Sequence, residues 1–246
     1  MILISGGCYK IWKIPKSSVN TSQTSFKEKA QTKKIVIPSQ LSPVEVLAQI
    51  YGEDAPLPIP FEDPNDISLK DFLGIKPNKG FIVAVEGVYQ NAYWLTDGRR
   101  IKNNLPPFVL RFLIVKYKTP QYASQDYRTL SSFWRTKGYV LEGNREEMYK
   151  KYKKIKEDLL QPKGSNKVVV FLSGKGKSIT VKGIPATYRP VYWDTNYFEY
   201  KKDNLPFIIE KTYLFSLGNF LIYIGGTSEE AINDTFDRII KAFGNY

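Results

Sequence analysis

The apolar positions change period several times along the chain, and each change marks an element. Residues 8–14 (CYKIWKI) alternate apolar with polar, the two-residue period of a strand with one covered face. Residues 33–38 (KKIVIP) add a short strand, residues 81–85 (FIVAV) a well-buried strand, and residues 88–95 another. Asp97-Gly98 is a tight-turn signal leading into Arg99-Arg100-Ile101. Residues 108–117 follow Pro106-Pro107; a proline start permits a helix, but the β-branched content favours a strand. Residues 168–172 and 178–182 read as strands joined by the Gly/Lys turn 173–177, and residues 187–193 and 207–224 supply two or three more.

Helical period appears between these runs. Ser42 at the N-cap, Pro43 at the first helical position and Glu45 in a capping box open a helix that buries Val46, Leu47 and Ile50 and stops at Gly52. Ser68 and Asp71 frame a second, short helix ending at Gly74. Ser124 caps a helix presenting Tyr127, Leu130, Phe133 and Trp134 up to Gly138. Asn144 caps another, with Met148, Tyr152, Ile155 and Leu159 as its stripe. Thr227 and Glu230 frame the last, which buries Ile232, Phe236, Ile239, Ile240 and Phe243.

Two stretches resist both periods. Residues 16–34, rich in Ser, Thr and Lys, read as a long loop or mobile arm. Residues 53–66 (EDAPLPIPFEDPND) hold four prolines and five acids, which argues against regular structure and for an extended segment on the surface. The elements add up to a single α+β domain over residues 1–246: a largely antiparallel or mixed sheet of about eight to ten strands, with four or five helices packed on it.

Composition narrows the chemistry. The sequence has no histidine, which excludes Ser-His-Asp and Cys-His catalysis, histidine general bases and histidine-ligated metals. Its one cysteine, Cys8, excludes an internal disulfide and a thiolate cluster. Carboxylate–metal chemistry, lysine or tyrosine acid–base chemistry, or no catalysis remain, and no cofactor is expected. Scarce Cys and Met beside abundant Lys, Ile and Tyr would suit a thermophile. No apolar run approaches the roughly 20 residues of a membrane-spanning helix, and the apolar start of the chain is short for a secretory signal. A cytoplasmic location without a membrane partner is the expectation.

The net charge of +12 is unevenly placed: residues 1–40 carry +6, whereas 41–80 carry −4 and 203–246 carry −3. A balance of this kind points to polyanions as partners. Three basic segments are the candidates. Lys150, Lys151, Lys153, Lys154 and Lys156 line the polar side of the helix 144–160, although Glu146 and Glu147 sit four residues before Lys150 and Lys151 and can neutralise them. Ser173-Gly174-Lys175-Gly176-Lys177-Ser178 ends like a phosphate-binding loop, but Phe171 stands where that loop needs glycine and a strand follows instead of a helix, so Lys175 and Lys177 read as a basic turn. Residues 188–202 interleave aromatic side chains, Tyr192 and Trp193 among them, with Arg189, Lys201 and Lys202, a pattern suited to stacking on bases or to a protein interface.

Within that last segment, Asp194 and Glu199-Tyr200-Lys201 resemble the carboxylate and E-x-K elements of the PD-(D/E)xK nucleases over a few residues only. There, carboxylates hold a divalent metal and the lysine assists the attacking water. Glu86 is a further candidate ligand. The sequence therefore carries three functional expectations: a non-catalytic basic accessory protein acting on nucleic acid or in a nucleoprotein assembly, a structural protein that self-associates or docks on protein partners through its extended arms, and a metal-dependent nuclease.

Overall fold

The computed structural model describes residues 35–66, 69, 73–102, 108–136, 171–173, 175–194 and 207–244, with the backbone alone for 171–173, 192–194 and 207. All fall within the unit Thr32–Tyr246. Among them are ten strands: β1 (Ile59–Phe61), β2 (Phe81–Tyr89), β3 (Ala92–Trp94), β4 (Arg100–Lys102), β5 (Leu110–Tyr117), β6 (Phe171–Ser173), β7 (Lys177–Val181), β8 (Ile184–Asp194), β9 (Phe207–Leu217) and β10 (Phe220–Gly226). Eight of these form one sheet in the order β1-β2-β5-β10-β9-β8-β6, with β7 also on β8, while β3 and β4 form a separate hairpin. Every pairing is antiparallel. Three α-helices accompany them: α1 (Pro43–Tyr51), α2 (Pro120–Thr136) and α3 (Glu229–Phe243). The fold is α+β.

Why β5 and β10 read as largely apolar runs is now plain. Both faces of the sheet are covered, so successive residues are buried whichever way they point. On one face Phe112, Ile114, Phe215, Ile222 and Ile224 pack with Val46, Leu47 and Ile50 of α1 and Ile232, Phe236 and Ile239 of α3. On the other, Leu113, Val115, Tyr117, Leu214, Leu221 and Tyr223 pack with Ala123, Leu130 and Trp134 of α2. Asp126, buried on α2, accepts hydrogen bonds from the Tyr117 hydroxyl (2.7 Å) and from the backbone and side-chain amides of Asn78 (2.9 and 2.8 Å), which fixes the helix to the loop before β2.

Several expectations hold and several need correction. The α1 capping box forms as read, with Ser42 Oγ accepting from Glu45 N and the Glu45 carboxylate from Ser42 N. Helix α2 begins at Pro120, four residues before Ser124. Helix α3 is capped by Ser228, whose Oγ accepts from Ala231 N at 3.2 Å; Thr227 instead donates to the Phe108 carbonyl, and Glu230 faces Arg99. Strand β2 runs on to Tyr89, so residues 88–95 are not one strand. Residues 35–38 are not a strand either: Val36 N donates to the Phe243 carbonyl at the end of α3.

Residues 53–66 contain regular structure after all. A 3-10 turn, Gly52–Asp54, is followed by β1, an edge strand with Pro60 at its centre, the place in a sheet where a missing N–H is tolerated. Segments β6 and β7 do not pair with each other through a hairpin; both lie along β8, opposite Val191–Trp193 and Ile184–Tyr188 respectively. Three helices stand among the described residues where four or five were expected. Leu69 and Leu73 of the expected 68–74 helix are helical and buried. The expected strand 8–14, the arm 16–34 and the helix 144–160 lie outside the described residues.

The true hairpin in this region joins β7 to β8 through Lys182 (φ 49°) and Gly183 (φ 86°), the two left-handed positions of a tight two-residue turn. Gly183→Ala is expected to lower stability by about 1–2 kcal/mol, because a Cβ is disfavoured in that conformation, and chemical denaturation of the two proteins measures it.

Candidate nucleic-acid interface

The hairpin β3–β4 presents two different faces. Tyr93 and Leu95 point inward and are buried, whereas Trp94, Arg100 and Lys102 are exposed. Trp94 stands opposite Arg100 in the register, leaves 45% of its surface to solvent, and has the Arg100 guanidinium 5.5 Å from its ring centroid. Arg99, next in sequence, is held by Asp97 (2.8 Å) and Glu230 (2.7 Å). Neither Arg100 nor Lys102 has an acidic partner among the described residues. The outer face is thus a flat ring beside two available cations.

What makes this face a platform is its anchorage. Asp234 of α3 accepts from the Thr96 hydroxyl (2.6 Å), the Thr96 amide (3.2 Å), the Tyr93 hydroxyl (2.9 Å) and Arg238 Nε (2.7 Å). Arg238 Nη2 donates in turn to the Trp94 carbonyl at 2.6 Å. Burial by itself would raise the Asp234 pKa, but the donors from Thr96, Arg238 and Tyr93 outweigh it and hold the group below its ordinary 3.8. Burial pushes the Tyr93 hydroxyl far above its usual range, so it stays a donor. Tyr51 and Tyr93 also share Thr235 Oγ1 at 3.1 and 3.2 Å. Asp234→Asn is expected to cost about 1–3 kcal/mol. Because the folded pKa is depressed, the wild-type contribution is complete above the unfolded value and is lost as pH falls through and below 3.8. Urea titrations at pH 7 and pH 3 check this: the gap between the two proteins should narrow at the lower pH.

A second polar constellation is buried on the α2 face of the sheet. Glu210 of β9, fully buried, accepts from Arg111 Nε (3.0 Å) and Nη2 (3.3 Å) and from the Tyr223 hydroxyl (2.9 Å). Burial works against the Arg111 charge, but Glu210 and Tyr223 outweigh it and hold the guanidinium above its ordinary value. Glu86, across on β2, is raised by burial and opposed by Arg111. Room for the carboxylate exists because residue 225 is glycine: a Cβ there would meet Glu210 Oε1 at 2.0 Å and the Tyr223 hydroxyl at 2.9 Å. Gly225→Ala should therefore break the Arg111–Glu210 pair and cost about 3 kcal/mol or more, read as a fall in the midpoint of denaturation.

The residues singled out from sequence are distributed differently from one surface. Lys175 and Lys177 are exposed, and Lys177 Nζ lies 5.5 Å from the Tyr188 ring centroid. Tyr188 stacks towards Tyr213, which meets Phe236 of α3, so this is the α3 face. Arg189 points to the opposite face and is buried, its guanidinium 4.1 Å from the Trp134 ring centroid. Tyr192, Trp193 and Asp194 end β8, opposite Ile209, Ile208 and Phe207. Lys150, Lys151, Lys153, Lys154, Lys156, Glu199, Lys201 and Lys202 lie outside the described residues. Among the described residues no three acidic or cysteine side chains gather to hold a metal ion.

Sequence reading passed over Trp94, Arg100 and Lys102. The Asp97-Gly98 turn was a visible signal, and alternation on either side of it places all three outward. Arg111 and Glu210 carried no such signal, since 99 positions separate them and only strand register joins them.

Among the described residues no helix is long and apolar enough to cross a membrane. No family model and no curated protein matches the chain. Among solved structures, the chain is similar to the extracellular domain of PknH from Mycobacterium tuberculosis, with a TM-score of 0.42 and 10% identity over 85% of this chain and 98% of that chain, a likeness too slight to bear on function.

Proposed function

We propose that the protein is a non-catalytic accessory protein that binds nucleic acid, with single-stranded segments stacking on Trp94. The observation that supports this reading is the outer face of the β3–β4 hairpin: an exposed indole, two basic side chains without acidic partners among the described residues, and a backbone tied down through Arg238 and Asp234. A base stacks on an aromatic face whatever its identity, and neighbouring cations meet the phosphates, so such a surface binds without reading sequence. Rigid anchorage lowers the ordering cost of binding.

The distribution of charge supports the same reading. Seventeen basic and fifteen acidic side chains belong to the described residues, a net of +2 out of the chain's +12. On the α3 face, Lys182 is matched by Asp237 and Lys211 by Glu229. The remaining +10 lies in residues 1–34, which carry +6, and in residues 137–170, which carry +4 and include Lys150, Lys151, Lys153, Lys154 and Lys156; charge of this sign supplies long-range attraction to a polyanion.

Fluorescence anisotropy with a labelled single-stranded oligonucleotide tests the proposal. Affinity should fall steeply between roughly 50 and 200 mM salt, as expected when several phosphates are neutralised. Trp94→Ala should weaken binding by about 5-fold or more, the loss of one base–aromatic stack of ~1–3 kcal/mol. Replacing Arg100 and Lys102 by Gln should flatten the salt dependence by up to about two phosphate contacts. Binding indifferent to salt, or unaffected by Trp94→Ala, would overturn it.

A further inference from the structure

Among the described residues, the α2 face of the sheet holds two buried or partly buried guanidinium groups, Arg111 and Arg189, and of these Arg111 alone is paired with a described carboxylate. Arg111 is paired with Glu210, which also accepts from the Tyr223 hydroxyl. Arg189, 8% exposed, lies over the Trp134 indole, its Cζ 4.1 Å from the ring centroid, and makes no ion pair with any described residue. Its Nε is buried without an acceptor, and so is the Nε1 of the same Trp134. Both orphans are donors, and they belong to two side chains in contact with each other. Desolvation lowers the Arg189 pKa, and the nearby Arg111 adds to that effect while Glu210 and Tyr223 oppose it.

Buried donors are almost always satisfied, and a buried charge without a partner costs several kcal/mol. Two neighbouring orphan donors, one of them cationic, are the complement of an acceptor with negative charge. The backbone around them is fixed: the Trp134 carbonyl accepts from Gly176 N at 2.8 Å, and the Arg189 carbonyl accepts from the Thr212 hydroxyl. Both side chains are also buried, Trp134 completely, so neither turns to water without disturbing the packing of α2 on β8.

We propose that Arg189 and Trp134 form a binding site for a small oxyanion of the carboxylate or phosphate class. One oxygen engages the guanidinium fork, and the indole N–H donates to the same group. The site is separate from the β3–β4 hairpin, and its occupancy is read without nucleic acid, so either proposal can fail alone.

Thermal denaturation of the full chain tests it, with inorganic phosphate and acetate titrated against chloride at matched ionic strength. A midpoint that rises saturably with phosphate, with acetate or with both, beyond the chloride control, is the expected result, and the more effective ion identifies the class. Arg189→Met keeps an apolar stem on Trp134 while removing the charge. It should abolish the anion response and, in anion-free buffer, be at least as stable as the wild type, because a buried charge with no ion-pair partner among the described residues has been removed. No rise beyond chloride overturns the proposal. So does an undiminished rise in Arg189→Met, which places the ion elsewhere. A variant that is strongly destabilised or unfolded in anion-free buffer also overturns it, since the guanidinium would then have its partner within the chain.

Discussion

Every residue of β10 is buried, and a central strand in that state requires cover on both faces of its sheet. The requirement shapes the rest of the molecule. It places α1 and α3 on one side and α2 on the other, and it puts any polar side chain facing these layers, from strand or helix, at risk of burial without a partner. Three buried carboxylates answer that risk in the same way. Asp126 joins α2 to the loop before β2, Glu210 joins β9 to β5 and β10, and Asp234 joins the β3–β4 hairpin to α3. In each case the carboxylate collects donors from two or more elements, so the desolvation cost is offset and the elements are held in one geometry.

How much of this was readable from sequence depends on how local the cause is. The α1 helix was readable to the residue because its capping box and proline lie within four positions of one another. Strands β5 and β10 were readable because burial on both faces writes itself as a largely apolar run. Errors arose where a neighbour distant in sequence decided the outcome. Residues 35–38 look like a strand but bond to the end of α3, and Pro60 looks incompatible with a sheet but falls on an edge. The Gly/Lys segment 173–177 resembles a hairpin turn, yet the strands on either side of it both select β8.

The candidate sites divide along the same line. Arg189 was named as a surface cation because it sits among aromatics in sequence; alternation along β8 instead turns it inward onto Trp134 of α2, a partner 55 positions earlier. Trp94 and Arg100, by contrast, needed only the turn at Asp97-Gly98 and a two-residue period. The net charge was an accurate statement about the chain and a poor guide to the described fold, which is close to neutral.

The edge at β1 has a consequence for how the molecule meets its own kind. Leu57 and Ile59 are exposed beside it, the apolar dressing that invites another strand to add on. A newcomer would have to bond along a three-residue rim whose middle residue, Pro60, offers no N–H. The rim is also flanked by Glu53, Asp54, Glu62 and Asp63, so a second copy would bring like charge against like. Among the described residues, exposed apolar side chains and an edge backbone coincide at this border, and its short length, its proline and its flanking acids all work against growth of the sheet from molecule to molecule.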